Sequence, residues 1–235
     1  MNNYDPPNAS GNNPIIGAVS AKQQFMTKVF GWMAAGLAIS GTTAYLSASS
    51  PVIIQTLYSN MFLLIVLVIG LFALVWNISA NILKMSYTAA LANFAIYAAL
   101  NGLVLSSVFL VYTTASIAST FMVTSGTFAA MAIYGFVTKK DLSGVGSMAI
   151  MALIGIIIAQ IVNMFLHNSG LSAIISYVGV LVFVALTAYD VQKIKNMGEQ
   201  SNYHANLAIS GALALYLDFV NLFIYLLRIL GNRRD

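Results

Sequence analysis

Of the 235 residues, 60 % are apolar and only 7 % are charged, with a net charge of +4 and no cysteine. A globular domain carries about 25 % charged residues, so a chain this poor in charge is not built to be surrounded by water. Without cysteine there are no disulfides or thiolate metal centres, and the basic excess is not gathered with aromatics into a patch that would bind nucleic acid.

Residues 1–24 are polar and hold three of the four prolines. They lack the basic start, apolar core and cleavage site of a signal peptide, and read as a mobile tail. A hydrocarbon core about 30 Å thick takes roughly twenty apolar helical residues to cross, and the rest of the chain repeats that unit. Spans are expected at Phe25–Ser47, Met61–Leu83, Tyr87–Tyr112, Ala115–Val137, Gly146–Leu166, Leu171–Asp190 and Ala205–Leu230. These runs are continuously apolar and rich in Ala, Leu and Ile, without the alternation of a barrel strand. The expected fold is therefore an all-α integral membrane protein: a seven-helix transmembrane domain over residues 25–230, followed by a short basic tail, 231–235. Gly31, Gly36, Ser40 and Gly41 on the first span, with Gly126 and Ala130 on the fourth, read as close-packing surfaces.

Loop charge orients the bundle. Lys22 and Lys28 flank the start of the first span, and Lys84, Lys139, Lys140, Lys193 and Lys195 fall in alternate connections. The other connections, Ala48–Asn60, Thr113–Thr114 and His167–Gly170, have neither Lys nor Arg. The positive-inside rule makes the amino terminus and the lysine-bearing loops cytoplasmic and puts the carboxyl terminus outside. Arg228, Arg233 and Arg234 disagree with that assignment, so either the lysines outvote them or the last span turns back. Full crossing is favoured because Ala205–Leu230 is long enough to span. His167 and His204 then lie on opposite sides, leaving no zinc-type cluster.

Two acids interrupt the apolar runs: Asp190 in TAYDVQKIKNM and Asp218 in ALYLDFVNLFIYLLRI. The remaining acids, Asp5, Asp141, Glu199 and Asp235, sit in tails or loops. A carboxyl at the centre of a membrane helix costs about 2.5–3.5 kcal/mol on insertion scales, so it faces the bundle interior and has a partner or a function. The sixth span ends near Asp190, and the seventh reaches Asp218 after roughly 15–20 Å of rise. The two share a level if the seventh span starts below the membrane surface. Two carboxyls in hydrogen-bond reach cannot both ionise cheaply, so they share a proton and sense pH. Deprotonated, they offer oxygens to a hard cation such as Ca²⁺, with further ligands from carbonyls, Asn or water. The structural alternative is a buried acid held by Asn and Tyr for packing specificity.

Further polar residues recur on helical faces: Asp218, Asn221 and Tyr225; Asn93, Tyr97 and Asn101; Gln160, Asn163 and His167. Together they could line a hydrated path. Each alone reads equally as interhelical hydrogen bonding, worth about 0.6 kcal/mol per contact in membranes.

The segments LTAYDVQKIKNMGEQ, GALALYLDFVNLFIYLLRILGNRR, NGLVLSSVFLVYTTASIASTF, KKDLSGVGSMAIMALIG and VFGWMAAGL resemble the transmembrane Bax inhibitor motif family in its short bacterial inner-membrane form. The resemblance covers all seven spans and is most specific in LYLDFVNLF and the upstream YD. It implies a bundle with the last helix central and a pH-dependent calcium leak, with Asp190 and Asp218 matching the family's sensor aspartates. It also implies a basic latch near the end of the second span, where WNISANILKM offers Asn81 and Lys84 but no arginine. No cofactor is expected, and Ca²⁺ enters as the transported ion. The implied partners are the lipid bilayer, the cation and a membrane protease in quality control. Two other classes stay in view. An intramembrane aspartyl protease shares the layout of paired acids, but the second acid here sits in LYLD without GxGD and no later Pro-Ala-Leu follows. A non-transporting regulator would bind another membrane protein through the small-residue faces. The reading is not an enzyme.

Overall fold

The computed structural model describes residues 14–200 and 205–234, with side chains from 22–198 and 205–234. Among the described residues eight helices follow one another: α1 (Pro14–Ala48), α2 (Pro51–Tyr58), α3 (Met61–Asn81), α4 (Tyr87–Val111), α5 (Thr114–Val137), α6 (Ser143–Leu166), α7 (Ser169–Gln200) and α8 (Ala205–Leu230). Seven of them, all but α2, are long and apolar enough to cross a membrane.

Three boundaries differ from expectation. Helix α1 begins at Pro14, inside the stretch read as a tail. Proline suits a first helical turn, and the Ala, Lys and Gln that follow are good helix formers. Residues 1–13 lie outside the described residues. The Ala48–Asn60 connection contains α2, with Pro51 at its start. Leu57 is buried there, and the Tyr58 hydroxyl donates to the Val104 carbonyl (3.1 Å) and accepts from the Ser107 N–H (3.1 Å). Helix α7 does not end at Asp190 but continues to Gln200. VQKIKNMGEQ contains no proline, and its polar side chains leave the apolar layer without breaking the backbone pattern.

Short connections are closed by side-chain caps. Asn60, Ser86, Thr113 and Asn168 accept from the N–H groups of Leu63 (3.2 Å), Ala89 (3.2 Å), Ser116 (3.3 Å) and Leu171 (2.9 Å), satisfying donors that helix starts leave orphaned. In the α5–α6 loop Asp141 accepts from the Ser143 N–H at 2.9 Å, and the Ser143 hydroxyl, together with that N–H, holds its carboxyl below the ordinary carboxylate range.

Helix α8 is the centre of the bundle. Buried residues make up 61 % of its apolar stretch, against 44 % for α7 and 28 % or less for every other span. It packs against α1, α3, α4, α5 and α7, and Tyr225 on α8 accepts a 2.6 Å hydrogen bond from Gln160 on α6. At its start, Asn206 donates to the Ile82 carbonyl (3.1 Å) and to that of Met85, in the turn between α3 and α4. Just past its end, the Asn232 carbonyl accepts from Thr113 (3.1 Å) and the Arg234 N–H donates to Val111 (2.9 Å), in the turn between α4 and α5. Those turns are the two ends of α4, so α8 traverses the bundle and does not turn back.

Close backbone approach occurs at fewer places than the glycine content implies. At Gly102 a Cβ would stand 2.6 Å from the Ser40 carbonyl, and Gly135 packs its bare backbone on the Ala188 carbonyl. Gly36 lies under the rings of Phe94 and Tyr216. By contrast Gly31, Gly41 and Gly126 have open space where a Cβ would be, and Ala130 is exposed, so the small face expected on the fourth span packs against none of the described residues. Gly135→Val should push α5 away from α7 next to Asp190. Overpacking of this kind costs about 1–3 kcal/mol, and an unchanged thermal midpoint in detergent would refute the contact.

Candidate functional site

Asp190 and Asp218 meet. Their carboxyl groups lie within hydrogen-bonding reach of each other across the α7–α8 interface, although one had been expected at a helix end and the other near mid-membrane. The extension of α7 reconciles them. The segment from Val191 to Gln200 carries α7 roughly 15 Å past Asp190, while Ala205 to Leu217 brings α8 roughly 20 Å back to Asp218. The two rises differ by only about 5 Å, so both acids lie well inside the bundle. The seventh span need not begin below the surface, because the sixth extends beyond it.

The two acids have different surroundings. Asp218 is 4 % exposed, and its Oδ2 is buried with no hydrogen-bond partner elsewhere in the protein among the described residues. Its neighbours along α8, Leu215, Tyr216, Phe219, Val220 and Leu222, are all buried. Asp190 is half-buried, beside buried Leu186, Ala188, Val191 and Ile194 on its own helix. The charged side chain beside it is Lys193, one turn on along α7, which is exposed and lies 5.8 Å from the Tyr189 ring. Two carboxyls can bond directly only if one carries the proton. The surroundings solvate a double negative charge poorly.

A latch through the second span finds no support here. Lys84 is exposed at the turn after α3, and Asn81 donates to Asn77 on its own helix at 3.0 Å. The α3–α4 turn is tied to α8 by neutral Asn206 instead. Sequence reasoning also missed the residues that anchor α7 beyond Asp190. Gln192 is 8 % exposed; its Oε1 accepts from Leu142 N–H (2.9 Å) and its Nε2 donates to the Lys140 carbonyl (2.8 Å). Lys195 Nζ donates to the Phe136 carbonyl at 2.8 Å. Their signal was the polar i, i+3 spacing after Asp190, which had been assigned to a loop.

The expected polar path is not one continuous chain. Asn221 donates back to Leu217 of α8 at 2.8 Å, a local bond. Asn101 donates at 2.7 Å to the hydroxyl of Tyr216, a residue not singled out from the sequence. That hydroxyl lies 2.6 Å from Ser40 Oγ, which in turn donates to the Ala98 carbonyl at 2.7 Å, so α4, α8 and α1 are joined by successive bonds. Tyr225 is buried, stacks on Phe183 with centroids 5.8 Å apart, and rests on the backbone of Gly179. Asn163 lies at the end of α6, where its Oδ1 accepts from the Asn168 N–H at 3.1 Å. Between the carboxyl pair and that end of the bundle stand Leu222, Phe183 and Tyr225.

As a metal site the pair is incomplete. No group of three or more His, Asp or Glu side chains gathers among the described residues. Two carboxylates supply only part of the six to eight oxygens that Ca²⁺ takes.

A seven-span helical membrane protein with a carboxyl pair closing its central helix against its neighbour is the class that the fold and the site define. The chain matches the family model described as "Inhibitor of apoptosis-promoting Bax1" over residues 22–235, and it belongs to that Bax inhibitor family. It is 51 % identical over 225 residues to the inner membrane protein YbhL of Escherichia coli, covering 94 % of this chain and 96 % of that one. It is also 45 % identical over 218 residues to an uncharacterized protein of Borreliella burgdorferi, covering 91 % and 94 %, and 42 % identical over 217 residues to one of Deinococcus radiodurans, covering 90 % and 91 %.

Proposed function

We propose that the protein is a pH-sensitive calcium leak channel of the bacterial inner membrane, gated by the Asp190–Asp218 pair. The observation that carries this reading is the pair itself: two carboxyls that face each other across the interface of α7 with the central helix, one of them with a buried oxygen that has no hydrogen-bond partner among the described residues. A shared proton holds α7 and α8 together, and its loss leaves two like charges in a poorly solvated interface. Repulsion between them loosens that interface and exposes oxygens to a divalent cation. Phe183 and Tyr225 are the apolar plug that such a movement has to displace, since Tyr225 lies on bare α7 backbone at Gly179. The reading assigns the pair no catalysis. It keeps the amino terminus and the lysine-bearing loops cytoplasmic and the carboxyl terminus on the far side, in accord with the loop charges.

The test is calcium uptake into liposomes carrying the purified protein, across about pH 5 to 8, beside the Asp190→Asn, Asp218→Asn double variant. Uptake that follows pH in the native protein and not in the variant is the expected result. Absence of uptake at every pH from folded protein would sink the channel reading and leave the acids as a buried structural pair.

A further inference from the structure

At the end of the bundle opposite the lysine-bearing loops, a polar cavity of about 720 Å³ opens between the end of α6, the start of α7 and the carboxyl-terminal tail. Its lining carries two arginines, Arg228 from the last turn of α8 and Arg233 from the tail, together with His167 from the α6–α7 connection, and no aspartate or glutamate among the described residues. These are residues that the positive-inside rule would rather keep on the other face, so their retention calls for a use.

The tail is fixed in a way that presents them. Gly231 bonds back to Leu227, the Asn232 N–H donates to Ser116 Oγ (2.9 Å), and Tyr112 and Arg233 form a backbone bridge. Arg234 gives its guanidinium to protein acceptors, the Tyr112 carbonyl (3.1 Å) and the Thr114 hydroxyl (3.4 Å). Arg228 and Arg233 do not: among the described residues neither guanidinium hydrogen-bonds to the protein, and Arg228 lies 5.5 Å from the Tyr225 ring centroid. Asn163 and Asn168 use their side-chain oxygens as acceptors, which leaves their amide N–H groups to donate. The start of α7 lies on the same cavity, and of its first N–H groups Leu171 is capped by Asn168 while Ser169 and Gly170 have no intrahelical acceptor.

We infer that this cavity is a binding site for a phosphate group. Arg228 and Arg233 are exposed side chains that line one cavity, with no acid among its described lining residues, so an anion seated there is attracted by both. Phosphate fits the donor set, because the planar guanidinium fork and the amide donors match its several acceptor oxygens. The group could arrive as free phosphate or as the headgroup of an anionic phospholipid in the adjoining leaflet.

The full chain in phosphatidylcholine nanodiscs is titrated with inorganic phosphate by calorimetry, and in parallel its retention of phosphatidylglycerol over phosphatidylcholine is read by native mass spectrometry. Binding in either arm is expected, weakened about tenfold or more in Arg228→Gln, Arg233→Gln, as for loss of a charge-assisted hydrogen bond, and unchanged in Arg234→Gln. Binding of free phosphate identifies a soluble anion as the ligand, and selective lipid retention without it identifies a headgroup. Binding in neither arm overturns the site, as does an equal loss in Arg234→Gln, which would mean surface charge alone. If the double variant does not fold, Arg233→Gln carries the test, since that side chain makes no hydrogen bond that folding needs among the described residues.

Discussion

Asp218→Asn alone should flatten the pH dependence of calcium uptake while leaving the fold intact. Asn is nearly isosteric with Asp and keeps a donor in place at every pH, so its Nδ2 bonds the Asp190 carboxylate where the native pair needs a proton. On the limb where one proton is gained or lost, native uptake can change by up to about tenfold per pH unit; in the variant that slope should vanish. The buried Oδ2 has no other partner, so the exchange removes no existing bond and the thermal midpoint should hold. A native-like slope in Asp218→Asn would show that the response does not need the Asp218 carboxyl.

Tyr216→Ala should be the most destabilising single change in the bundle. Tyr216 is fully buried at the crossing of α8 with α1 and α4, edge-on to Phe94 and Tyr97 with both centroids 5.8 Å away. Its hydroxyl accepts from Asn101 (2.7 Å) and meets Ser40 Oγ (2.6 Å). The bond directions follow from the donor count. Ser40 gives its one proton to Ala98, so Tyr216 donates to Ser40 and accepts from Asn101. Removing the ring leaves a cavity, with a cost of about 3–5 kcal/mol. Tyr216→Phe keeps the packing and loses two bonds, at about 0.6 kcal/mol each in a membrane. Thermal midpoints of the two variants in one detergent separate ring from hydroxyl. Equal midpoints would mean that the ring contributes nothing beyond its hydroxyl.

The two acids show how far one-dimensional reading reaches. That Asp190 and Asp218 matter was legible, because an ionisable group in an apolar run is expensive and stands out against so little other charge. That they meet was not. Their depths depend on where α7 stops, and the polar run from Gln192 to Gln200 resembles a loop when judged by hydropathy. It stays helical because Gln192 bonds to both Lys140 and Leu142, and Lys195 to Phe136, contacts fifty or more residues away in the chain. The polar stripes failed for a related reason. Helical facing showed that Asn101, Asn221 and Tyr225 point inward together with others on their own helices, but not which partner each would find across the interface. The C-terminal arginines appear in sequence only as a violation of the charge rule. The backbone pairing of the tail with the α4–α5 turn is what brings two of them to one cavity.

The class of protein, the number of spans, the side on which lysines gather and the two acids that deserve attention as a pair were determined by the sequence alone. They rest on hydrocarbon thickness and on the cost of burying charge, both of which act on each segment by itself. Tertiary structure decided the rest: the central place of α8, the juxtaposition of Asp190 with Asp218, the Ser40–Tyr216–Asn101 chain and the basic cavity at the far end. Each of these depends on how one helix is rotated and shifted against another. Hydropathy says nothing about that, because in lipid every apolar face is equally at ease until packing and interhelical hydrogen bonds choose among them.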